Sequence, residues 1–428
     1  MTDTAIGGDI EVAGGRNLAA EKLKRCVEEV VLEWRDRLID VSHDLHAHPE
    51  LAFEEQRSAA LVATLLRDAG FEVAEGVWGQ ETAVEAVYGS GEMTVVVCAE
   101  YDALPGIGHA CGHNIIATAG AGAAIALARV ADELGIRVKL LGTPAEEMGA
   151  GKALMLEAGA WEDATVSLMV HPGPGFAFPT AGSVSQSRDR FRVEFTGKAS
   201  HAAAAPTVGI NAGNAATVMQ VAVGLLRQHL RDGTRVSAVT LSGGEVSNVI
   251  PASAVVEAEV RSIDLDETIE IKSKVLACID GAATATGCTY TVTPVDPIYE
   301  PLIQHPFLAD RYDAALEQRG RVIAPRPAGT LGGGSTDMGN VSQALPSIHP
   351  MIGVLGSTAA PHTAAFADDA ITSGADDAII DGAYALAAAI VDLATDADAR
   401  SHVLDLQRTR APGATRRPAY ASVPKKST

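Results

Sequence analysis

Thr94-Val95-Val96-Val97-Cys98-Ala99-Glu100-Tyr101-Asp102, with His109-Ala110-Cys111-Gly112-His113-Asn114 close behind, is the stretch that decides the fold. A continuous run of β-branched and small apolar residues reads as a strand buried on both faces, as in a parallel sheet. This run stops at residues that bind divalent metal. Two other runs do the same: Val138–Gly142 leads into Thr143-Pro144-Ala145-Glu146-Glu147, and Val166–Val170 into His171-Pro172-Gly173. Ligands of open α/β sheets gather beyond the carboxyl ends of their strands. If the three runs are neighbours, one thiol, two imidazoles and two adjacent carboxylates converge on one sheet edge. That donor set suits a zinc-like ion, with a carboxylate left over for chemistry.

Around these runs the pattern alternates. Asn17–Ala47 has Leu23, Val27, Val30, Val31, Trp34, Leu38 and Val41 at helical spacing, which predicts one long amphipathic helix. A second helix is expected over Glu54–Ala69, closed by Gly70. Two strands and a Gly-Ser-Gly turn lead into Thr94–Ala99. A helix follows Cys111, then the Arg137–Leu141 strand, a helix near Gly151–Ala158 and the Thr165–Val170 strand. Strand–helix alternation implies an α/β domain, a mostly parallel sheet with helices on both faces. From Arg190 the pattern changes: Phe191, Val193 and Phe195 alternate with polar neighbours, as in a half-exposed strand. Strands at Arg235–Leu241, Ala254–Arg261 and Thr289–Val295 and helices at Asn211–Leu230 and Asp266–Thr286 make a small α+β insertion. The expected division is 17–186 and 298–397 for the catalytic domain, 187–297 for the inserted domain, and 398–428 for an Arg/Pro/Ala/Ser-rich tail read as disordered.

The 428 residues exceed one ordinary core, which agrees with two domains. The net charge is −21, and the six Arg/Lys of Leu406–Thr428 leave the preceding chain more acidic still. That balance argues against nucleic-acid or anionic-membrane partners. Cys26, Cys98, Cys111, Cys278 and Cys288 are too few and too scattered for a disulfide framework, which suits a reducing, cytoplasmic location. Residues 1–16 lack the hydrophobic core of a signal peptide. The longest apolar candidate for a membrane span, Ile115–Val130, is Ala/Gly-rich and reads as a buried helix.

Cys-Gly-His alone fits either a metal pair at a helix start or a buried Cys beside a structural His. Glu146-Glu147 is more specific. It follows Pro144 at a strand end, where one carboxylate can bind metal while its neighbour serves as general base. His171, ending an apolar strand, and His362, in Pro361-His362-Thr363 after the apolar stretch Ile348–Leu355, complete five donors with Cys111, His113 and Glu147, enough for two metals. His109 is a candidate to orient a ligand. His43, His46 and His48 read as helix-end and turn residues, and Cys98 as strand core.

Seven ordered motifs then resemble a known family. They are Leu45-His46-Ala47-His48-Pro49-Glu50, the block from Tyr101 to Asn114, Gly142–Glu147, Met169–Gly173, Gly197-Lys198-Ala199-Ser200-His201-Ala202, Ser247-Asn248-Val249-Ile250-Pro251 and Gly334–Asn340. Together, over about residues 30–395, they look like the aminoacylase/carboxypeptidase metallopeptidase family. The likeness is to its amidohydrolase branch, the group of β-alanyl-lysine dipeptidase and aminobenzoyl-glutamate hydrolase. The resemblance implies a two-metal catalytic domain and an inserted lid that forms a homodimer through its sheet. Position by position, Cys111, His113, Glu147, His171 and His362 match metal ligands and Glu146 the general base. His201 matches a histidine that reaches the partner's site to steady the oxyanion. Asn248 and Arg261 match recognition of the substrate carboxylate, and Asp102 a residue that orients a ligand. Where many other members carry His two residues before the aspartate, this chain has Glu100, and it has Asn114 where much of the branch has Asp.

The resemblance therefore implies a metal-dependent hydrolase of amide bonds in dipeptides or N-acyl amino acids that carry a free carboxylate. Its cofactors would be two divalent ions, zinc by the softness of a thiolate ligand, with manganese or cobalt as alternatives. Two rivals stand beside it. One is an aminobenzoyl-glutamate or other aryl-amide hydrolase on the same machinery. The other is a metal-binding regulatory subunit without turnover, which has no physical need for a spare carboxylate at Glu146.

Overall fold

The computed structural model describes residues 7–326 and 333–420, and these divide into two compact units. One holds residues 7–183, 302–326 and 340–417; the other holds 184–301, 333–339 and 418–420.

The larger unit is built on the apolar runs. Met93–Glu100 is buried at every position and lies parallel to Ile136–Thr143 on one side and Val166–Leu168 on the other. Ser347–Ile348 extends the parallel set, while Val84–Tyr88 and Glu72–Glu75 close the other edge antiparallel. Past their short main-sheet segments, His171–Pro174 and Met351–Val354 pair with each other in parallel. The Ala/Gly content of the helix His113–Arg129 is explained by its packing. A Cβ on Gly120 would sit 2.8 Å from the Cys98 carbonyl, so the helix lies closer to the sheet than any side chain allows. The same helix packs against Ser373–Thr395, whose Ile379, Ala383, Leu386 and Ile390 are buried.

Three expectations are corrected here. The predicted helix 17–47 is two helices, Gly7–Glu33 and Arg35–Ala47, separated at Trp34 (φ −92°, ψ 0°). Apolar spacing persists through the break because Trp34 still donates to Val30 O and accepts from Leu38 N. The tail read as disordered contains a helix, Ala397–Thr409. Asp396 caps it by accepting from Ala399 N at 2.9 Å, Val403 and Leu404 are buried, and Arg400 donates to the carbonyls of Leu134 and Gly135. Two apolar residues and a cap outweigh a composition that averages as tail-like. Among the described residues, the helix long and apolar enough to cross a membrane is Ser373–Thr395, not the 115–130 stretch, and 89% of its apolar stretch is buried in this core.

The smaller unit is a four-stranded antiparallel sheet in the order Thr289–Pro294, Ser187–Thr196, Ser253–Ser262, Arg235–Ser242. Helices Ala212–Leu226 and Leu265–Thr286 cover one face, packing Met219, Val223, Ile271, Val275 and Ile279 on Phe191, Val193, Phe195, Val256 and Val260. Asn211 and Asp264 cap the two helices by accepting from Asn214 N and Glu267 N.

Candidate metal centre

Three buried strands of the larger unit deliver their carboxyl ends to one place. Met93–Glu100 ends at Glu100 and Asp102, Ile136–Thr143 leads to Glu146 and Glu147, and Val166–Leu168 leads to His171. Cys111 and His113 flank Gly112, which begins the helix His113–Arg129 with φ +76°. A Cβ on Gly112 would lie 2.5 Å from Pro172 Cγ, so glycine alone lets the Cys–His pair sit this close to His171.

Asp102 organises the cluster. Its Oδ1 lies 2.9 Å from His113 Nδ1, and its Oδ2 accepts the Glu147 backbone N–H at 3.0 Å. One buried carboxylate thus orients an imidazole from one loop and fixes the backbone of another. With Nδ1 engaged, His113 presents Nε2 to the cluster, 3.5 Å from Glu100 Oε2 and 3.7 Å from Glu147 Oε1. His171 Nδ1 donates to the Pro172 carbonyl at 2.8 Å, so its Nε2 keeps a lone pair, 3.4 Å from Cys111 Sγ. His362 is held in a left-handed backbone (φ +64°) by donation from its N–H to Ala110 O at 2.8 Å. Its Nε2 lies 3.5 Å from Glu147 Oε1.

The donors fit a divalent cation. His113 Nε2, Glu147 Oε1 and Glu100 Oε2 are buried and make no hydrogen bond of ordinary geometry among the described residues. Four ligands at about 2.1 Å around one ion stand about 3.4 Å apart, close to the separations seen here. Within the larger unit, candidate ligand atoms lie within 4.8 Å of one another in three overlapping sets: Cys111–His113–His171, Cys111–Glu147–His362 and His113–Glu146–Glu147. The electrostatics agree. Burial, followed by the charge of Glu147, pushes the Cys111 thiol up, so a cation is what would hold it as thiolate. Burial opposes a charge on His113, but Asp102 overcomes this and raises the imidazole well above its ordinary value. Burial also pushes His171 down to about 4, which keeps the imidazole neutral at physiological pH.

His109 is placed differently. Its Nε2 lies 3.1 Å from the Leu45 carbonyl and its ring stacks on His46. It anchors the helix Arg35–Ala47 rather than a candidate ligand, and burial pushes it down to about 3. The remaining candidates belong to the smaller unit. His201, exposed in the short strand Ser200–His201, accepts from Ala203 N at 3.2 Å and Ala204 N at 3.1 Å through Nδ1. Backbone amides only donate, so the ring proton sits on Nε2. Asn248 O accepts from Ala202 N, and Arg261 is paired with Glu259 at 2.6 Å and with Ser335 Oγ at 3.2 Å.

Glu100, which the sequence marked out at its strand end, forms a fully buried ion pair with Lys152 that sequence reasoning missed, along with other residues beside the cluster. His349 is buried beside His171, with ring centroids 5.5 Å apart, and neither of its nitrogens has a hydrogen-bond partner among the described residues. Glu55 is buried and accepts from Ala145 N at 2.9 Å and Thr82 Oγ1 at 2.7 Å. Lys152 carried a signal, as a charge inside the apolar Gly151–Ala158 helix.

The sequence profile of Peptidase family M20/M25/M40 matches residues 95–390. Xaa-Arg dipeptidase of Mus musculus is 34% identical over 388 residues, 87% of this chain and 89% of that protein. A chain of the p-aminobenzoyl-glutamate hydrolase of Escherichia coli K12 is 32% identical over 63% of this chain and 60% of its own length. A solved Bacillus subtilis structure, described as a dinuclear metal binding peptidase from the M20 family, superposes with TM-score 0.64. It shares 23% identity and covers 84% of this chain and 98% of its own.

Proposed function

Since this chain belongs to peptidase family M20/M25/M40 and is a hydrolase, we propose that it cleaves amide bonds in dipeptides or N-acyl amino acids. In this reading Cys111, His113, Glu147, His171 and His362 hold two divalent ions and Glu146 is the general base. The observation that carries it is the convergence of His113 Nε2 and Glu147 Oε1, both buried and without a hydrogen bond among the described residues, beside the adjacent carboxylate of Glu146. Bound there, the ions would supply Lewis acidity and bring the pKa of a coordinated water toward about 7.

The chain's own groups do the rest. Glu146 takes the proton of the attacking water and passes it to the leaving amine. Asp102 keeps His113 in the tautomer that exposes Nε2 and fixes the Glu147 backbone. His201, with its proton on Nε2, offers a donor suited to an oxyanion. Asn248 and Arg261 would recognise the substrate's carboxylate. Arg261 would then exchange part of its pairing with Glu259 for that of the substrate. The thiolate of Cys111 favours zinc, with manganese or cobalt as the next candidates.

The smaller unit is read as a lid that pairs with a second copy of the chain. Its edge strand Arg235–Ser242 exposes Val239 and Leu241, and the helix Ala212–Leu226 exposes Val221 and Leu225. An open edge with apolar side chains is normally covered. None of the five cysteines forms a disulfide, which supports a cytoplasmic location.

The test is hydrolysis by protein loaded with zinc, manganese or cobalt. The panel contains dipeptides with basic and neutral C-terminal residues, N-acetyl and aroyl amino acids, and p-aminobenzoyl-glutamate. Turnover that a chelator abolishes and added metal restores is expected. Metal-replete protein that cleaves none of these would refute the reading.

A further inference from the structure

The segment before the helix Gln56–Asp68 is threaded along two of the loops that carry the metal centre. Ala103 N donates to Glu50 O at 2.8 Å, and Leu51 pairs with Ala103 as a parallel bridge. Phe53 adopts a left-handed backbone (φ +65°), and its ring fills the space beside Gly149, where a Cβ would be 2.4 Å from Phe53 Cε2. Two residues on, Glu55 is fully buried, with Oε1 on Ala145 N and Oε2 on the Thr82 hydroxyl.

Ala145 itself has φ +59°, a left-handed conformation that alanine adopts only under constraint. Its amide is given to Glu55, and the amide of Glu147 is given to Asp102. Glu146 therefore sits between two backbone N–H groups, each held by a buried carboxylate. Asp102 has an evident reason to be there, since it also orients His113. Glu55 hydrogen-bonds to no candidate ligand; it meets the catalytic turn at the Ala145 amide.

We propose that Glu55 is a positioning residue: by accepting the Ala145 N–H it holds the Ala145–Glu147 turn in the left-handed conformation that sets Glu146 against the metal centre. This rests on the hydrolase reading above for its kinetic consequence, but not for its structural one. The clamp works in either protonation state. A protonated Glu55 can donate to Thr82 Oγ through one oxygen and still accept from Ala145 through the other. Glutamine has the same arrangement of one donor and one acceptor.

The experiment uses the full-length, metal-loaded protein and the variants Glu55→Ala, Glu55→Gln, Ala145→Gly and the double variant Glu55→Ala with Ala145→Gly. A catalytic group displaced by about 1 Å can lose ~100-fold in rate. Glu55→Ala is expected to lower kcat roughly 10- to 100-fold, with KM within about threefold and metal content unchanged. Glu55→Gln should recover most of that loss. Glycine takes a positive φ without steric cost, so adding Ala145→Gly should recover part of the Glu55→Ala defect. A merely structural role would give instead a loss of folded, metal-loaded protein in proportion to activity, indifferent to the residue at 145. Hydrogen exchange across residues 144–150 needs no substrate. It should accelerate in Glu55→Ala and stay slow in Glu55→Gln. Wild-type kcat in Glu55→Ala, an equal loss with and without Ala145→Gly, or unchanged exchange would overturn the proposal. If no substrate is found, exchange alone decides it, so a failure of the hydrolase reading is told apart from a failure of the clamp.

Discussion

Glu55→Gln should change how stability depends on pH, and the structure fixes both the sign and the size. Burial pushes the Glu55 carboxyl from its ordinary value near 4.5 up to about 7, with the charge of Asp102 adding to the effect and the Thr82 and Ala145 bonds opposing it. Below pH 4.5 the group is protonated in both the folded and the unfolded chain and costs nothing. Above that value the unfolded chain releases the proton first. Each pH unit then favours unfolding by about 1.36 kcal/mol until the folded carboxyl also ionises near 7. The interval accumulates to about 3 kcal/mol, lost from the wild type as pH rises and absent from Glu55→Gln, which does not titrate. Urea unfolding of metal-free protein at pH 4.5, 6 and 8 measures it. All three tryptophans, Trp34, Trp78 and Trp161, lie in the larger unit, so their fluorescence reports the unit that holds Glu55. The stability difference between variant and wild type should move by about 3 kcal/mol in favour of the variant between pH 4.5 and 8. A difference constant to within about 0.5 kcal/mol over that range would refute the burial argument for this carboxyl.

Other perturbations separate the roles assigned around the cluster. Cys111→Ala should lower bound metal and activity together, whereas Cys98→Ala, at a strand residue whose Sγ lies 3.5 Å from Ser167 Oγ, should lower stability alone; metal analysis with thermal melting distinguishes them. Asp102→Asn disturbs both the His113 tautomer and the Glu147 backbone, and should weaken metal affinity by about tenfold or more in a competitive chelator titration. If a second copy completes each site with its His201, mixing inactive His201→Ala with inactive Glu146→Gln should restore roughly a quarter of wild-type activity after full exchange in a two-fold dimer. No recovery after verified exchange would remove His201 from the partner's site.

Much of this was readable from residue order. The three runs that end in Glu100, Thr143 and Val170 are adjacent strands, and the convergence of Cys111, His113, Glu147 and His171 follows from their parallel register. What escaped has a common cause. Glu55 matters through a backbone amide 90 residues away, and Glu100 through a lysine 52 residues away, so neither leaves a local pattern. His109 lies inside the most informative motif yet bonds back to Leu45, because position in a motif does not say which way a ring turns. The break at Trp34 leaves helical spacing intact on both sides, and the helix Ala397–Thr409 is stabilised by a cap and two buried residues that composition averages away.

The central claim is that Glu146 is the general base of a metal-dependent amide hydrolase and Glu147 is a metal ligand. Kinetics and metal content of Glu146→Gln, measured on the same preparation, test it most directly. The substitution keeps the side chain's shape and removes its basicity. The account predicts a fall in kcat of roughly a hundredfold or more, the range of positioned acid–base catalysis, with bound metal at the wild-type level. Substantial residual turnover, or metal lost along with activity, would contradict it and make Glu146 a ligand instead.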